Sequence, residues 1–111
     1  MSNTAFRSFG GVQGAFVGEA ILEDVADFLK LEPDKVREAN FFHKDDLAHF
    51  GMNAGGESIR RCWQMCLDKS EYSRRRAQID QYNRENRWKK KGLAITPVRY
   101  GMAFLKSLMN Q

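Results

Sequence analysis

The stretch that decides the fold is AFVGEAILEDVADFLKL, residues 15–31. Its apolar side chains recur at the three- and four-residue intervals of a helix, and acidic side chains fall between them. The apolar positions are Phe16, Ala20, Val25, Phe28 and Leu29, and the acidic positions are Glu19, Glu23, Asp24 and Asp27. We therefore predict an amphipathic helix whose apolar side packs on a core and whose acids face solvent.

The segment that follows predicts a short second helix and then an irregular connection. Pro33 suits the first turn of a helix over residues 32–40, and Val36 is its apolar anchor. Residues 41–56 lack a helical pattern and end in a glycine pair, so we predict a loop with at most one turn. Three aromatic side chains are expected to pin this loop to the core: Phe41, Phe42 and Phe50.

Two more helices are predicted in the second half of the chain. The third covers about residues 57–68, and the fourth runs from an N-cap at Ser70 to about Arg87. Cys62 and Cys66 share one side of the third helix with apolar neighbours, which predicts that both thiols point into the core. Their helical spacing is poor for a disulfide, and neither a disulfide nor a metal site is expected.

Near the end of the chain, the pattern of side chains changes from a helical period to a period of two. From Leu93 onwards the side chains alternate with a period of two, which predicts an extended strand over residues 92–105. A single strand leaves its backbone donors and acceptors unpaired, so we expect the chain to be part of something larger that supplies a sheet. The predicted fold class is α+β: a mostly helical excerpt of about four helices ending in an extended strand.

Composition excludes several classes of protein. The chain has 111 residues, 42% hydrophobic and 29% charged, which suits one domain with a modest core rather than a disordered tail. It holds no apolar run of the roughly 20 residues that a membrane-spanning helix needs, and no apolar stretch typical of a signal peptide. We expect no membrane partner and a cytoplasmic location, with a peroxisomal one as the alternative.

Charge is divided unevenly along the chain. Residues 1–59 hold five Lys and Arg against ten Asp and Glu, whereas residues 60–111 hold thirteen against four. Such a basic half is compatible with a nucleic-acid-binding module using residues 74–76 and 89–91. Acidic side chains interleave with these cations at helical spacing, however, which favours a solvated helix surface and no nucleic-acid partner.

One short segment carries the pattern of a binding loop. FRSFGG, residues 6–11, places an arginine and two phenylalanines before a glycine pair. Glycines allow close approach of the backbone to a ligand, a guanidinium suits an anion, and aromatic faces hold a flat ring. These are the parts of a site for a planar heterocycle beside an anionic cofactor, although a glycine turn with two core phenylalanines fits the same letters.

Four segments together resemble the molybdenum hydroxylases, the family of xanthine dehydrogenase and aldehyde oxidase. The segments are NTAFRSFGGVQ at 3–13, RCWQMCL at 61–67, NRENRWKKKGLAITP at 83–97 and YGMAF at 100–104. The resemblance therefore covers essentially the whole chain, and it implies a piece of the longer enzymes' molybdopterin-binding domain. It divides the chain into a cofactor and substrate loop at 1–12, a helical scaffold at 13–88 and the strand at 92–105.

The resemblance also implies the site residues. Arg7 matches the family arginine beside the molybdenum cofactor, and Phe9 and Phe104 match two phenylalanines that hold the substrate ring between them. Leu105 stands at a further substrate-contacting position. No catalytic residue and no metal ligand is expected within the chain, because the family's base glutamate lies outside the matching stretch.

The implied activity is the hydroxylation of purines, hypoxanthine to xanthine to urate, with water as the oxygen source. Cofactors are then molybdenum-molybdopterin here, with 2Fe-2S clusters and FAD elsewhere in the enzyme. Electrons pass to NAD or oxygen, the parent enzyme is expected to be a homodimer, and the excerpt alone to be inactive. The alternative is an aldehyde oxidase type that acts on aldehydes and N-heterocycles.

Some positions depart from the family pattern and bear on substrate choice. Gly11 agrees with xanthine-type enzymes, whereas Leu105 replaces a threonine that bonds the purine in them. Leucine offers neither a donor nor an acceptor, which predicts weaker discrimination between substrates. Ser8 and Val12 stand where the family usually has glycine and proline.

Overall fold

The computed structural model describes residue 8 and residues 10–99. Four helices form in this part of the chain: α1 Gly11–Leu29, α2 Pro33–Ala39, α3 Gly56–Lys69 and α4 Tyr72–Glu85. Helix α1 packs on α2, and α3 packs on α4. The order and number of the helices confirm the helical part of the predicted fold. None of these helices is long and apolar enough to cross a membrane.

Helix α1 faces the opposite way from the prediction. Its apolar side chains are exposed, with Phe16 at 76% and Phe28 at 85% of their full accessibility, and Ala26 is its one buried residue. Glu19 and Glu23 turn instead towards α2, where both bind the buried Arg37. The predicted solvent-facing role of these two acids was therefore wrong, because an arginine in α2 attracts the acidic side of α1.

The turn between α1 and α2 ends one helix and starts the next. Lys30 adopts a left-handed backbone conformation with φ of 56°, which ends α1. The N–H groups of Lys30 and Leu31 donate to the carbonyls of Asp27 and Ala26, so the last turn is closed. Pro33 then occupies the first turn of α2, as predicted, and Val36 is buried.

The connection between α2 and α3 is irregular, as predicted, apart from an isolated antiparallel bridge between Leu47 and Asn53. Phe41 is buried in the core, but Phe42 is exposed and Phe50 is only partly buried. The prediction that all three aromatics pin this loop to the core thus holds for Phe41 alone. The ring of Phe50 meets His49 edge-on instead.

Helices α3 and α4 are joined by only two residues. Ser70 closes α3, and Glu71 takes the N-cap position of α4 with φ of 51°. The predicted N-cap at Ser70 was therefore wrong by one residue. The Ser70 hydroxyl points back to the carbonyl of Leu67, so it serves the helix that ends rather than the one that begins.

The core is small and lies where α3 meets the segment that follows α4. Phe41, Trp63 and Ile95 form it, and Ile59, Leu67 and Tyr72 pack against it. The rings of Phe41 and Trp63 meet edge to face, with centroids 5.2 Å apart. This arrangement brings together three segments that are far apart in sequence.

Both cysteines are exposed, which corrects the prediction that their thiols point into the core. The buried stripe of α3 runs along Ile59, Trp63 and Leu67, which are four residues apart. At about 100° per residue, Cys62 and Cys66 fall on one flank of that stripe. The stripe that the core covers is too narrow to include them.

The predicted strand does not form in the described part of the chain. Residues 92–99 are assigned neither strand nor helix, and residues 100–105 lie outside the described residues. A strand requires a neighbour to accept and donate hydrogen bonds, and no strand occurs between residues 10 and 99 to do so. The described fold is therefore helical rather than α+β.

Candidate functional site

The described end of the glycine loop has an unusual backbone. Ser8 and Gly10 both have φ of 89°, in the left-handed region that favours glycine. The Ser8 carbonyl accepts a hydrogen bond of 2.8 Å from the N–H of Gly11, and the Ser8 hydroxyl accepts one of 3.4 Å from Val12. A serine thus holds a backbone conformation that favours glycine.

The loop leads directly into the N-terminus of α1. Gly10 is the N-cap and supplies no side chain, and no acidic residue occupies the first turn. A Cβ atom at Gly10, Gly14 or Gly18 would meet no other atom within 4 Å. The positive end of this 19-residue helix therefore carries no carboxylate in its first turn that would compete with an anionic group.

Arg37 ties α1 to α2. Its guanidinium is only 3% exposed, and it donates to Glu19 at 2.7 Å, to Glu23 at 2.5 Å and to Asp34 at 3.4 Å. Burial disfavours the charge, but the hydrogen bonds to Glu23 and Glu19 outweigh it, so the pKa of Arg37 is raised. This buried cation therefore joins the acidic residues of α1 to α2.

Two further hydrogen bonds join α2 to α3 and α4. The indole N–H of Trp63 in α3 donates to Glu38 at 2.9 Å, and the Tyr72 hydroxyl of α4 donates to Asp34 at 2.5 Å. The bond from Trp63, aided by Lys35, lowers the pKa of Glu38. Burial and the bond to Asp34 raise the pKa of Tyr72 to about 12. Helix α2 is thus the hub that joins α1 to α3 and α4.

The segment after α4 is fixed to the same scaffold. Arg76 donates to the carbonyl of Leu93 at 3.0 Å and to the carboxylate of Glu32 at 3.2 Å. Ile95 is buried against Trp63. The chain that leads towards Phe104 is therefore held at residues 93 and 95 by α4 and α3.

The basic surface is largely engaged in internal contacts. Arg74 pairs with Glu71, and Arg76 pairs with Glu32 and lies 3.9 Å from Asp80. Lys91 lies over the ring of Tyr82 at 3.9 Å, and Lys90 donates to the carbonyl of Asn83. The ion pairs with Glu71, Glu32 and Asp80 offset part of the field that phosphates would meet, whereas Lys90 and Lys91 keep their charge in their contacts.

Residues 1–41 match the family model described as the molybdopterin cofactor-binding domain. The chain is 44% identical to the xanthine dehydrogenase/oxidase of Gallus gallus over 110 residues, which is 99% of this chain. Over the same share it is 46% identical to the xanthine dehydrogenase of Drosophila subobscura and 42% identical to the aldehyde oxidase 2 of Macaca fascicularis. Over nearly its whole length, the chain is therefore similar to enzymes of the xanthine dehydrogenase and aldehyde oxidase family.

These similarities confirm the resemblance drawn from the four segments of sequence. The chain spans about 8% of the length of these curated relatives. The molybdopterin model covers the loop, α1 and α2. Arg37 and its three acidic partners therefore lie within the residues that match the molybdopterin cofactor-binding domain.

The site residues predicted from the family resemblance are Arg7, Phe9, Phe104 and Leu105. All four lie outside the described residues, so their placement stays a prediction. The sequence analysis did not identify Arg37 as a structural centre. The available signal was an arginine in a short helix that follows a helix with acids spaced by four, Glu19 and Glu23.

Proposed function

We propose that the chain is part of a molybdenum hydroxylase and that its loop and helical scaffold hold the molybdenum-molybdopterin cofactor and the substrate. The observation that carries this proposal is 44% identity to a xanthine dehydrogenase/oxidase over 99% of the chain. The match of residues 1–41 to the molybdopterin cofactor-binding domain supports it independently. The loop at 1–12 is the cofactor and substrate loop, and residues 13–88 are its scaffold.

The described residues beside the loop fit an anionic cofactor. The start of α1 presents its positive end, its glycines leave room for close approach, and its first turn carries no acid. Arg7 is the residue that would face the cofactor, since a guanidinium donates to anionic oxygens in a planar fork. When bound, the molybdenum of the cofactor would supply the two-electron redox chemistry of the hydroxylation.

Substrate binding is assigned to the two aromatic residues. Phe9 and Phe104 would hold a flat heterocycle between their rings, since offset and edge-to-face contacts orient an aromatic partner. Their part in the reaction is to bind and orient the ring and to exclude water from its faces. The reaction is the oxidation of a purine, hypoxanthine to xanthine to urate, with electrons passing through 2Fe-2S clusters and FAD to NAD or oxygen.

An aldehyde oxidase type of reaction is the second candidate. It is favoured by the 42% identity to an aldehyde oxidase and by Leu105, whose side chain cannot form a hydrogen bond with a purine. A site without that polar contact discriminates less against other N-heterocycles and aldehydes. Turnover of xanthine against an aromatic aldehyde by the full-length enzyme separates the two reactions.

The exposed apolar side of α1 fits the same proposal. Phe16, Ile21 and Phe28 are all more than half exposed, and an apolar surface of this extent is unusual on an independent small domain. We expect it to pack against further elements of a longer molybdopterin-binding domain. This packing would hold α1 on its apolar side, while Arg37 holds it on its acidic side.

The proposal is tested by substitutions in the full-length enzyme. Arg7→Ala is expected to lower the molybdenum content, and Phe9→Ala to lower purine turnover while the molybdenum content stays. Trp88→Ala, which removes an exposed aromatic far along the chain, serves as the matched control and is expected to change neither. Unaltered turnover and molybdenum content in both Arg7→Ala and Phe9→Ala would overturn the assignment.

A further inference from the structure

The two thiols of α3 line a groove that the proposed function does not use. Cys62 and Cys66 are both exposed and border a groove of about 290 Å³ together with Ile59, Trp63 and residues 95–98. The other walls are mainly apolar, so the thiols are the soft donor atoms of this groove. Both lie on the same flank of the buried stripe of α3, one helical turn apart.

Their spacing excludes a disulfide within the intact helix but suits a bridging ion. Side chains four residues apart on a helix have Cβ atoms about 5–6 Å apart, whereas a disulfide needs about 3.8 Å between its Cβ atoms. Two metal–sulfur bonds of about 2.3 Å each span about 4.6 Å between the sulfurs. Ordinary rotamers of the two cysteines can bring their sulfurs to that separation.

The ligands available select the kind of ion. No group of three or more His, Cys, Asp or Glu residues that could hold a metal occurs among the described residues. Asp68, the nearest acid in sequence to Cys66, accepts a hydrogen bond from Gln64 at 2.8 Å. Zinc and the hard divalent ions require more ligands than two thiolates, whereas soft thiolates select Cu(I).

We propose that Cys62 and Cys66 form a two-thiolate site for Cu(I) on the surface of α3. Binding exchanges the two S–H protons for one Cu(I) and leaves a bis-thiolate complex of charge −1, with no change of oxidation state. Ile59, which is partly buried, and Val98 supply apolar walls of the same groove beside the thiols. This inference is independent of the proposed enzymatic function, because the site shares no residue with the loop.

The test is an anaerobic titration of the full chain with Cu(I) in the presence of a coloured competing chelator. One Cu(I) per chain is expected, and Cys62→Ser and Cys66→Ser are each expected to abolish this binding. A spacing control combines Cys66→Ser with Gln64→Cys, which keeps two thiols but places them on different sides of the helix. This variant is expected not to bind, and Met65→Leu is expected to bind like the parent chain.

A second measurement keeps the proposal testable if a serine variant fails to fold. Cu(I) is expected to protect both cysteines of the unaltered chain from alkylation, as counted by mass spectrometry. Three results would overturn the site: no Cu(I) bound by the parent chain, equal binding by the spacing control, or both thiols alkylated at the same rate with and without Cu(I).

Discussion

The indole N–H of Trp63 and the carboxylate of Glu38 form a hydrogen bond of 2.9 Å between residues 25 positions apart. It joins α3 to α2 beside the small core, where Trp63 packs on Phe41. The contact also has a pH dependence, because the bond from Trp63 lowers the pKa of Glu38. Helix α2 therefore depends on this ionised carboxylate for part of its attachment.

The first prediction concerns the stability of the fold at low pH. Since the pKa of Glu38 is lower in the folded state, its contribution to stability is present above the unfolded-state value of about 4.3. It is lost as the pH falls through the folded-state value. We expect Glu38→Gln, which can still accept the bond but cannot titrate, to flatten the fall in stability with acid. Urea unfolding followed by Trp63 fluorescence in a Trp88→Phe background measures this, and an unchanged pH profile would contradict it.

The second prediction concerns the close approach of backbone at Gly56. A Cβ atom there would lie 1.9 Å from the carbonyl oxygen of Phe42, so Gly56→Ala forces the start of α3 away from the preceding loop. We expect a loss of about 1–3 kcal/mol in the free energy of unfolding.

Gly18→Ala is the matched control for Gly56→Ala. Position 18 lies within α1, and a Cβ atom there meets nothing within 4 Å. Replacing a helix-interior glycine by alanine is expected to add about 1 kcal/mol of stability. Urea unfolding measures both changes in the free energy of unfolding. Equal changes for Gly56→Ala and Gly18→Ala would show that a Cβ atom near the Phe42 carbonyl does not destabilise the fold.

The third prediction concerns Arg37. Arg37→Met removes the one buried cation among residues 10–99 and leaves Glu19 and Glu23 without it, at a cost of about 2 kcal/mol. Arg37→Lys keeps the charge but not the planar fork, so it should recover only part of the loss. Thermal and urea unfolding of the full chain provide the comparison. If Arg37→Met were as stable as the parent, the orientation of α1 would not depend on this cluster.

The fourth prediction concerns substrate choice at Leu105, and it follows from the proposed function. Leu105→Thr would restore a hydroxyl where xanthine-type enzymes bond the purine. We expect the ratio of kcat/KM for xanthine to that for an aromatic aldehyde to rise by about tenfold, since one hydrogen bond contributes about 1 kcal/mol or somewhat more. Leu105→Val, which changes shape without adding a polar group, is the control. Equal ratios in both variants would remove Leu105 from the substrate site.

Local signals in the sequence were sufficient for the helices. Pro33 marks the start of α2, and the apolar stripe that includes Trp63 marks α3, because both signals depend on neighbouring residues alone. The direction in which each helix faces depends on distant partners instead. Arg37 reversed the expected orientation of α1, and the narrow contact around Trp63 left Cys62 exposed.

The strand and the site also depend on residues that are distant in the sequence. The period-two pattern from Leu93 onwards predicts a strand that does not form among residues 92–99, because strand formation depends on a neighbouring strand and none lies among residues 10–99. The local pattern of residues 6–11 fitted both a binding loop and a glycine turn, and only the family resemblance favoured the binding loop; the comparisons confirmed that resemblance. Which residues touch the substrate stays a prediction, because Phe9 and Phe104 lie outside the described residues.

The most direct test of the proposed site is a double-mutant cycle on kcat/KM of the full-length enzyme, with Phe9→Ala, Phe104→Ala and the double variant. Two rings that hold the same purine should show a coupling energy of about 0.5–1.5 kcal/mol, because removing either ring loosens the substrate against the other. Strictly additive losses, or no loss from either substitution, would contradict the shared clamp and with it the proposed substrate site.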